Sequence, residues 1–322
     1  MNYSRIQGTG GFLPAQIVTN ADLERRVDTT AQWIFERTGI AERHVAEPGE
    51  TTCDLAEQAA RRAIEAAGLS PSTIDLIIVA TTTPDHIFPS VASQLQDRLG
   101  HYGCAAFDIQ AVCTGFIYAL GIADQFIHAG NARCALVVGA ETFTRIINWE
   151  DRSTCVLFGD GAGAMIVTAA DKPGILSSDL RADGRYKDLL WVPAGVSQGY
   201  EQTRRNEAFV AMRGNEVFKV AVNTLGRSVL QALESNGLDI ADIDWLVPHQ
   251  ANERILAATA KKIGFPVERV ISTVKTHANT SAASIPLAFD VAVRDGRIQR
   301  GQRVLLVGFG GGFTWGTVLL RY

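Results

Sequence analysis

The chain has few of the features that mark secreted, membrane-bound or nucleic-acid-binding proteins. Its 322 residues include only five cysteines, irregularly spaced and without a Cys-x-x-Cys pair, which argues against a disulfide framework and a structural zinc site. No apolar stretch approaches the roughly 20 residues that cross a membrane, and the first residues lack the apolar core of a signal peptide. A net charge of −4 gives no reason to expect nucleic-acid binding. We therefore expect a cytoplasmic protein that is not inserted in a membrane.

The sequence repeats its own organisation once. Three pairs of similar segments carry the repeat: 63–69 and 232–238, 74–79 and 243–247, and 135–139 and 304–308. Members of each pair are 169 positions apart, as Gly68 and Gly237 show. Chance similarity of short apolar runs does not readily produce a constant offset. We interpret the chain as two halves of one ancestral unit, residues 1–172 and 173–322.

Within the first half, helical and strand patterns alternate. Residues 54–67 have an amphipathic pattern that ends at Gly68, and residues 74–80 form a β-branched run of strand length. A second helix is predicted over 88–99 and a second strand over 105–111. Such alternation favours an α/β layered fold with largely parallel sheets covered on both faces. In sheets of this kind, reactive groups lie where strands end and helices begin.

Cys113 is the strongest candidate for a nucleophile. It follows the predicted strand 105–111 and precedes a helix that is apolar on all sides, whose N-terminus favours thiolate over thiol. The competing interpretation is a small hydrophobe in the core, the usual fate of a free cysteine. Cys134 and Cys155 fit that interpretation better because they lie in strand-like apolar runs. Cys53 begins a charged helix and is expected to face solvent.

Two polar residues have comparable positions in the second half. His249 follows the predicted strand 245–247, at the strand end where sites form in α/β sheets, although a lone histidine is more often structural. Asn279 begins a polar run that also fits an ordinary turn and helix cap. The offset of 169 relates Cys113 to position 282. We therefore expect the turn at 279–282 and the Cys113 turn to face one central pocket.

Two glycine-rich stretches remain. The stretch 308–313 follows a predicted strand, and its glycines can let the backbone approach a ligand and offer an N–H as an oxyanion donor. A plain tight turn is the alternative. The stretch 159–164 is not followed by a helix pattern, so we assign it to a strand and reject dinucleotide binding.

These motifs closely resemble those of the β-ketoacyl-acyl carrier protein synthase III family, within the thiolase superfamily. The resemblance runs from Gly8 to Gly316, and its most specific stretches are 33–34 with 37–40, 158–163, 214–218 and 248–252. It implies a thiolase-like five-layered α-β-α-β-α fold built from two duplicated halves. It also implies a homodimer that needs no metal or redox cofactor.

The resemblance further implies an activity that initiates fatty-acid synthesis. Cys113 would take the acyl group from an acyl-CoA (acyl-coenzyme A) primer. Malonyl-acyl carrier protein would then lose carbon dioxide while His249 and Asn279 hydrogen-bond the thioester oxygen of the enolate. Attack of this carbanion on the acyl-cysteine would give a 3-oxoacyl-acyl carrier protein, with the backbone N–H groups of Cys113 and Gly311 as the oxyanion hole.

Binding residues are implied by the same resemblance. The contacts with coenzyme A would be made by Trp33, Arg37, Arg152, Asn215 and Asn252. Phe88 would reach into the acyl pocket of the other subunit, and the carrier protein would dock on Arg254, Lys261 and Lys262. Without the resemblance, these aromatic and basic residues would be assigned to an ordinary solvated surface.

The chain departs from the family pattern at a few positions. Ala278 replaces a usual glycine, and Val112 and Thr114 flank the nucleophile where alanine is frequent. The polar segment 196–208 has no clear family counterpart. These departures remove no catalytic group, but they leave the shape of the acyl pocket open.

Other functions fit the same fold. One is a condensing enzyme of specialised metabolism, or an acyltransferase that omits condensation. Another is a silent partner subunit, which the joint presence of Cys113, His249 and Asn279 disfavours. A thiolase proper is disfavoured because residues 301–322 contain no second cysteine.

Overall fold

The computed structural model describes residues 2–199, 201 and 208–322, so residues 200 and 202–207 of the segment 196–208 lie outside the described part. The helices of that part are α1 Asn20–Glu24, α2 Ala31–Thr38, α3 Thr52–Ala67, α4 Val91–Leu99, α5 Gly115–His128, α6 Arg152–Cys155, α7 Gly214–Ser235, α8 Glu253–Ile263, α9 Val274–His277 and α10 Ser284–Arg294. The strands are β1 Tyr3–Phe12, β2 Gln16–Thr19, β3 Glu42–Val45, β4 Leu76–Ala80, β5 Ala105–Ile109, β6 Cys134–Glu141, β7 Gly161–Ala170, β8 Ile175–Ala182, β9 Leu190–Trp191, β10 Ala211–Met212, β11 Trp245–Pro248, β12 Arg303–Gly310 and β13 Thr314–Arg321.

Two mixed sheets form the centre of the molecule. The first has the strand order β1-β7-β6-β4-β5 and the second the order β8-β13-β12-β11. Pairing is parallel between β4 and β5, β4 and β6, and β11 and β12, whereas the other pairs in these sheets are antiparallel. The prediction of largely parallel sheets is therefore wrong, because β6 and β12 each pair with the next strand along the chain, which returns in the opposite direction.

The sheets and helices alternate in five layers. One face of the first sheet packs against α3 and α4 through a cluster of alanine and branched aliphatic side chains. Its other face packs against α5 and α10, which also cover the inner face of the second sheet. The outer face of the second sheet packs against α7 and α8. This arrangement is the expected α-β-α-β-α fold, with α5 and α10 as the buried middle layer.

Corresponding elements of the two sheets keep the 169-residue offset. The bounds of β12 are those of β6 shifted by 169 positions, and α10 begins 169 positions after α5. The second sheet has no counterpart of β5, because the corresponding residues form α9 and the turn that carries Asn279. The division into 1–172 and 173–322 remains a prediction.

Several local predictions need correction. The helix predicted from residue 88 begins at Val91, because Ser90 caps it and Asp108 accepts hydrogen bonds from the N–H groups of Val91 and Ala92. Phe88 is thereby left on an exposed loop. The strand predicted over 105–111 ends at Ile109.

Two cysteines also differ from expectation. Cys53 is fully buried rather than exposed, because the loop before α4 covers the first turn of α3: Asp85 accepts a hydrogen bond from the Cys53 N–H, and the Cys53 thiol approaches the Val91 carbonyl. Cys155 lies in the short helix α6 rather than in a strand. Among the described residues, no helix is both long enough and apolar enough to cross a membrane.

A close approach between strand and turn gives a testable prediction. A Cβ on Gly139 in β6 would lie 2.4 Å from the carbonyl oxygen of Ala282, in the turn before α10. Gly139→Ala is expected to lower the free energy of unfolding by about 1–3 kcal/mol, the usual range for overpacking. Urea denaturation measures this change. The matched control is Gly184→Ala, because no atom would lie within 4 Å of that Cβ; equal effects of the two substitutions would contradict the prediction.

Candidate active site

Two equivalent turns lie at the starts of the two buried helices. Val112–Thr114 leads into α5 and Ser281–Ala283 leads into α10, and both are single 3₁₀ turns. Val112 and Ser281, 169 positions apart, have φ angles of 48° and 50°. This left-handed conformation is strained for a β-branched residue such as Val112. The turn that places Cys113 is thus held by its surroundings rather than by the preference of its own residues.

The glycine-rich strand end of β12 holds the Cys113 turn from one side. A Cβ on Gly310 would lie 2.8 Å from the backbone nitrogen of Cys113, so only glycine lets β12 approach this turn. The sequence analysis expected these glycines to let the backbone approach a ligand. At Gly310, the glycine instead lets β12 approach the backbone of Cys113.

A pair of threonines ties the Cys113 turn to the end of the second sheet. Thr314 Oγ1 donates to the Ala111 carbonyl at 3.0 Å, and Thr114 Oγ1 donates to the Thr314 carbonyl at 3.0 Å. Thr114 therefore has a structural role that an alanine could not supply.

The structure brings Cys113, His249 and Asn279 to one cavity of about 250 Å³. Their exposed fractions are only 3%, 4% and 6%. Most of the remaining wall is apolar, with side chains from several elements: Leu157, Phe158, Leu190, Met212, Val217, Leu225, Ile255 and Phe309. Asn215, Asn252 and Arg254 also line this cavity. A thiol and a few polar side chains therefore face a largely apolar space, the usual construction of a small-molecule site.

Burial dominates the acidity of the Cys113 thiol. It raises the pKa of this thiol to about 12; a hydrogen bond with Ser281 acts in the opposite direction, and the charge of Glu141 adds to the rise. The expected effect of the α5 N-terminus is outweighed by burial, which favours the neutral thiol.

His249 is a neutral imidazole held in a fixed orientation. It directly follows β11, and its backbone N–H donates to the Val307 carbonyl at 2.8 Å. Its Nδ1 lies 2.7 Å from Ser284 Oγ at the start of α10, which leaves Nε2 as the ring nitrogen available to a ligand. Burial lowers the pKa of His249 to about 3, so the ring is uncharged at neutral pH.

Asn279 is fixed through both its backbone and its side chain. Its N–H donates to the Leu157 carbonyl at 2.9 Å, and its carbonyl accepts from the Gly159 N–H at 3.0 Å. Its side-chain Oδ1 accepts from the Ser281 N–H at 2.9 Å, so the amide NH₂ is the group left for a ligand. The preceding Ala278 has φ 57°, a backbone conformation that favours glycine.

Glu141 is a buried residue of this site that the sequence analysis missed. It ends β6, has no exposed surface, and accepts hydrogen bonds from Thr83 Oγ1 at 2.6 Å, the Thr82 N–H at 3.1 Å and Ser281 Oγ at 3.0 Å. Burial raises the pKa of its carboxyl to about 7, although these hydrogen bonds lower it. The available signal was an acidic residue directly after the apolar run 134–140.

An aromatic–arginine group lies beside the mouth of the cavity. The guanidinium carbons of Arg152 and Arg37 are 4.8 and 5.7 Å from the ring centroid of Trp33. Asn252, which lines the cavity, donates from Nδ2 to the Arg37 carbonyl at 3.2 Å. Asn252 thus joins this group to the cavity.

Other predicted site residues lie outside the cavity. Phe88 is 83% exposed on the loop before α4. Lys261 and Lys262 are exposed on α8, which begins beside the cavity with Arg254, and Lys262 donates to Asn223 Oδ1 at 3.0 Å. Gly311 is not among the residues that line the cavity, and a Cβ on it would lie 2.9 Å from the carbonyl oxygen of Leu190.

Comparison with known proteins gives consistent matches over the chain. Residues 107–184 match the family described as 3-oxoacyl-[acyl-carrier-protein (ACP)] synthase III, and residues 233–322 match its C-terminal part. The β-ketoacyl-[acyl-carrier-protein] synthase III of Thioalkalivibrio sulfidiphilus is 64% identical, and the match covers 100% of both chains. The enzyme of the same name from Alkalilimnicola ehrlichii is 60% identical, again over 100% of both chains. The crystal structure of 3-oxoacyl-[acyl-carrier-protein] synthase III from Aquifex aeolicus is similar with a TM-score of 0.93 at 46% identity, covering 99% of this chain and 100% of that one.

The raised pKa of Glu141 predicts a pH-dependent stability. The folded state holds the Glu141 proton more tightly than the unfolded chain, whose carboxyl has an ordinary pKa of 4.5. The stabilisation is therefore present at low pH and is lost as the pH rises through about 7. Relative to Glu141→Gln, which stays neutral, the free energy of unfolding should fall by roughly 3 kcal/mol between pH 4.5 and 7.

Urea denaturation of the wild type and of Glu141→Gln between pH 4.5 and 7 measures the difference in their free energies of unfolding. His249 acts in the opposite sense, since its lowered pKa makes stability fall as the pH drops from 6.5 towards 3, but this effect is common to both proteins and cancels. A difference that stays constant with pH would contradict the prediction.

Proposed function

The chain belongs to the 3-oxoacyl-acyl carrier protein synthase III family, and from this premise we propose that Cys113, His249 and Asn279 perform the chemistry. The enzyme is an acyltransferase with the thiolase-like fold, and it catalyses the initiating condensation of fatty-acid synthesis. The observation that carries the residue assignment is that these three side chains, distant in sequence, line one buried cavity.

In the first half-reaction, Cys113 takes the acyl group of an acyl-CoA primer. The sulfur attacks the thioester carbonyl, and the resulting oxyanion is stabilised by the backbone N–H groups of Cys113 and Gly311. The rigid support of the turn by Gly310 and by the Thr114–Thr314 hydrogen bonds favours this role. Such support keeps the donors in place without reorganisation during the reaction.

In the second half-reaction, malonyl-acyl carrier protein loses carbon dioxide. His249 Nε2 and the Asn279 amide donate hydrogen bonds to the thioester oxygen as the enolate forms. Because the pKa of His249 is lowered to about 3, the neutral ring stabilises the enolate without protonating its carbon. The carbanion then attacks the acyl-cysteine, and loss of carbon dioxide supplies the carbanion without a metal or redox cofactor.

Coenzyme A binds at the rim of the cavity in this proposal. The adenine is sandwiched between Trp33 and Arg152, whose guanidinium already lies near this ring, and Arg37 contacts the phosphates. The pantetheine chain passes Asn215 and Asn252, whose side chains line the path inward. The acyl chain occupies the apolar end of the cavity.

The acyl carrier protein docks on the exposed basic side of α8. Arg254, Lys261 and Lys262 lie on this helix, and Arg254 also lines the cavity. An acidic partner would be steered there by charge, which would place its prosthetic thiol at the same opening that coenzyme A uses.

A homodimer completes the proposal. Strand β5 lies at the edge of the first sheet with a half-exposed apolar face, and an edge strand of this kind invites pairing with another strand. Asp108 of β5 binds the start of α4, so pairing across β5 would bring the exposed Phe88 loop to the partner's acyl pocket. Sedimentation at twice the 34.7 kDa chain mass is the expected result.

The alternatives are less well supported. Full-length identities of 64% and 60% to β-ketoacyl-[acyl-carrier-protein] synthase III enzymes favour this role over specialised metabolism. A catalytically silent subunit would not need a Cys113 turn that is held in place by Gly310 and by the Thr114–Thr314 hydrogen bonds. The five cysteines are all unpaired, which supports a reducing, cytoplasmic location.

Intact-mass spectrometry with a panel of acyl-CoA thioesters tests the chemistry. The wild type should gain one acyl group, and Cys113→Ala should gain none because the nucleophile is lost. His249→Ala should still be acylated but should release little carbon dioxide from malonyl-acyl carrier protein. Cys134→Ala, which removes another buried thiol, is the matched control and should be acylated normally. The proposal is wrong if no primer labels Cys113 in the wild type.

A crossed pair of substitutions tests the binding surfaces. Trp33→Ala should raise KM for acyl-CoA roughly 5- to 30-fold, because it removes base–aromatic stacking worth about 1–2 kcal/mol, and it should leave KM for malonyl-acyl carrier protein unchanged. Lys261→Glu should raise KM for malonyl-acyl carrier protein, most strongly at low salt, and should leave KM for acyl-CoA unchanged. Lys172→Glu, between β7 and β8, is the charge-matched control. Equal effects of Trp33→Ala or Lys261→Glu on both substrates would contradict the assignment.

A further inference from the structure

The proposed chemistry requires a proton on Nε2 of His249, because this nitrogen donates to the oxygen of the enolate. A neutral imidazole carries one proton, on either Nδ1 or Nε2, and the hydrogen bond made by the other nitrogen decides which one carries it. The partner of Nδ1 is the hydroxyl of Ser284, whose Oγ lies 2.7 Å away. Because a hydroxyl can donate or accept, the tautomer of His249 depends on what Ser284 does.

The other contact of Ser284 decides the direction of this hydrogen bond. Its Oγ lies 3.3 Å from the backbone nitrogen of Gln250, whose N–H can only donate. Ser284 is 1% exposed, and among the described residues its Oγ has no hydrogen-bond acceptor other than His249 Nδ1. If Nδ1 donated, the hydroxyl proton would be buried without a partner, which is unfavourable. The hydroxyl therefore donates to Nδ1, and the ring proton lies on Nε2.

The first half of the chain contains the same contact without polar groups. The positions 169 residues before His249 and Ser284 are Ala80, at the end of β4, and Gly115, at the start of α5. A Cβ on Gly115 would lie 3.1 Å from the Cβ of Ala80, so the buried helix begins against the strand end in this half as well. The shared backbone arrangement thus brings the two positions together, and the half with a histidine at the strand end has a hydroxyl at the helix start.

Resting on the proposed role of His249, we infer that Ser284 is a positioning residue that holds His249 as the Nε2–H tautomer and fixes the orientation of its ring. Ser284 is not among the residues that line the cavity, so it acts on the substrate only through His249. The hydrogen bonds run from the Gln250 N–H through the Ser284 hydroxyl and the His249 ring to the enolate oxygen. A backbone N–H cannot accept, and this fixes the direction of the whole line.

The role of Ser284 is specific to one half-reaction. Attack of Cys113 on acyl-CoA is assisted by backbone N–H groups in the proposed chemistry, whereas enolate formation uses the Nε2–H of His249. Loss of the Ser284 hydroxyl should therefore impair decarboxylation and spare acylation. It should lower kcat rather than raise KM, because the hydrogen bond from Nε2 strengthens only as negative charge develops on the oxygen.

¹⁵N NMR of the histidine-labelled enzyme tests the tautomer directly, since a protonated and an unprotonated ring nitrogen have different chemical shifts. The signals of His249, one of six histidines, are identified by their loss in His249→Gln. In the wild type at neutral pH, the proton should lie on Nε2 alone. In Ser284→Ala, both nitrogen signals should move towards intermediate values, because the tautomers then differ only by the small intrinsic preference of imidazole. Ser284→Thr keeps the hydroxyl and should retain the wild-type signals.

Kinetics with malonyl-acyl carrier protein test the consequence for the reaction. Ser284→Ala should lower kcat for release of carbon dioxide roughly 10-fold, which is less than the 10²- to 10³-fold loss expected when an oxyanion donor is removed outright. Its KM and the rate at which acyl-CoA acylates Cys113 should be unchanged, and Ser284→Thr should recover most of kcat. Ser228→Ala is the matched control, because it removes a buried serine hydroxyl of α7 that does not line the cavity.

A wild type that carries the His249 proton on Nδ1, alone or together with Nε2, would overturn the inference. Wild-type His249 signals in Ser284→Ala, or an equal loss of kcat in Ser228→Ala, would also overturn it. If Ser284→Ala does not fold, the wild-type spectrum decides. A wild type that holds the proton on Nε2 but releases no carbon dioxide from malonyl-acyl carrier protein would instead overturn the proposed function and leave the tautomer assignment valid.

Discussion

The active site depends on the way each half's helix-start turn packs against a strand of the other half's sheet. Gly139 of β6 lies against the turn at Ala282, and a Cβ on Gly308 of β12, 169 positions later, would lie 3.4 Å from the Cα of Thr114. A side chain at Gly139 would push its turn off the sheet, whereas Gly308 leaves room only for ordinary van der Waals contact with its turn. Because the contacts cross between the halves, the Cys113 turn and the Asn279 turn are held at a fixed mutual distance by two rigid sheets. The buried helices α5 and α10 then fill the space between the sheets.

Burial is the second determinant of the chemistry. It raises the pKa of the Cys113 thiol, lowers the pKa of the His249 imidazole and raises the pKa of the Glu141 carboxyl. In each case the neutral form is favoured, because a charge in a dry cavity loses its hydration. A neutral histidine suits hydrogen bonding to an enolate.

The backbone strain in the two turns is also imposed by the surrounding structure. Val112, Ala278 and Ser281 have positive φ angles without being glycine, a conformation that persists only where the surroundings impose it. Hydrogen bonds from Thr114, Thr314 and the Ser281 N–H supply that constraint. Val112 and Thr114 thus lie in the turn that holds the nucleophile, and Ala278 directly precedes Asn279.

The sequence by itself was sufficient for the family, the five-layered fold, the 169-residue offset and the choice of Cys113, His249 and Asn279 as candidates. The offset and the three candidates follow from local patterns, such as a strand followed by a reactive side chain and a helix, whereas the family and the five-layered fold follow from the resemblance to known sequences. Only the tertiary structure decided which groups meet: Glu141 behind Ser281, Ser284 on His249, and Thr314 on the Cys113 turn. It also decided the burial of Cys53 and the direction of each pKa, since both depend on what covers a residue from distant parts of the chain. Hydration and packing are properties of the assembled layers, and no local pattern encodes them.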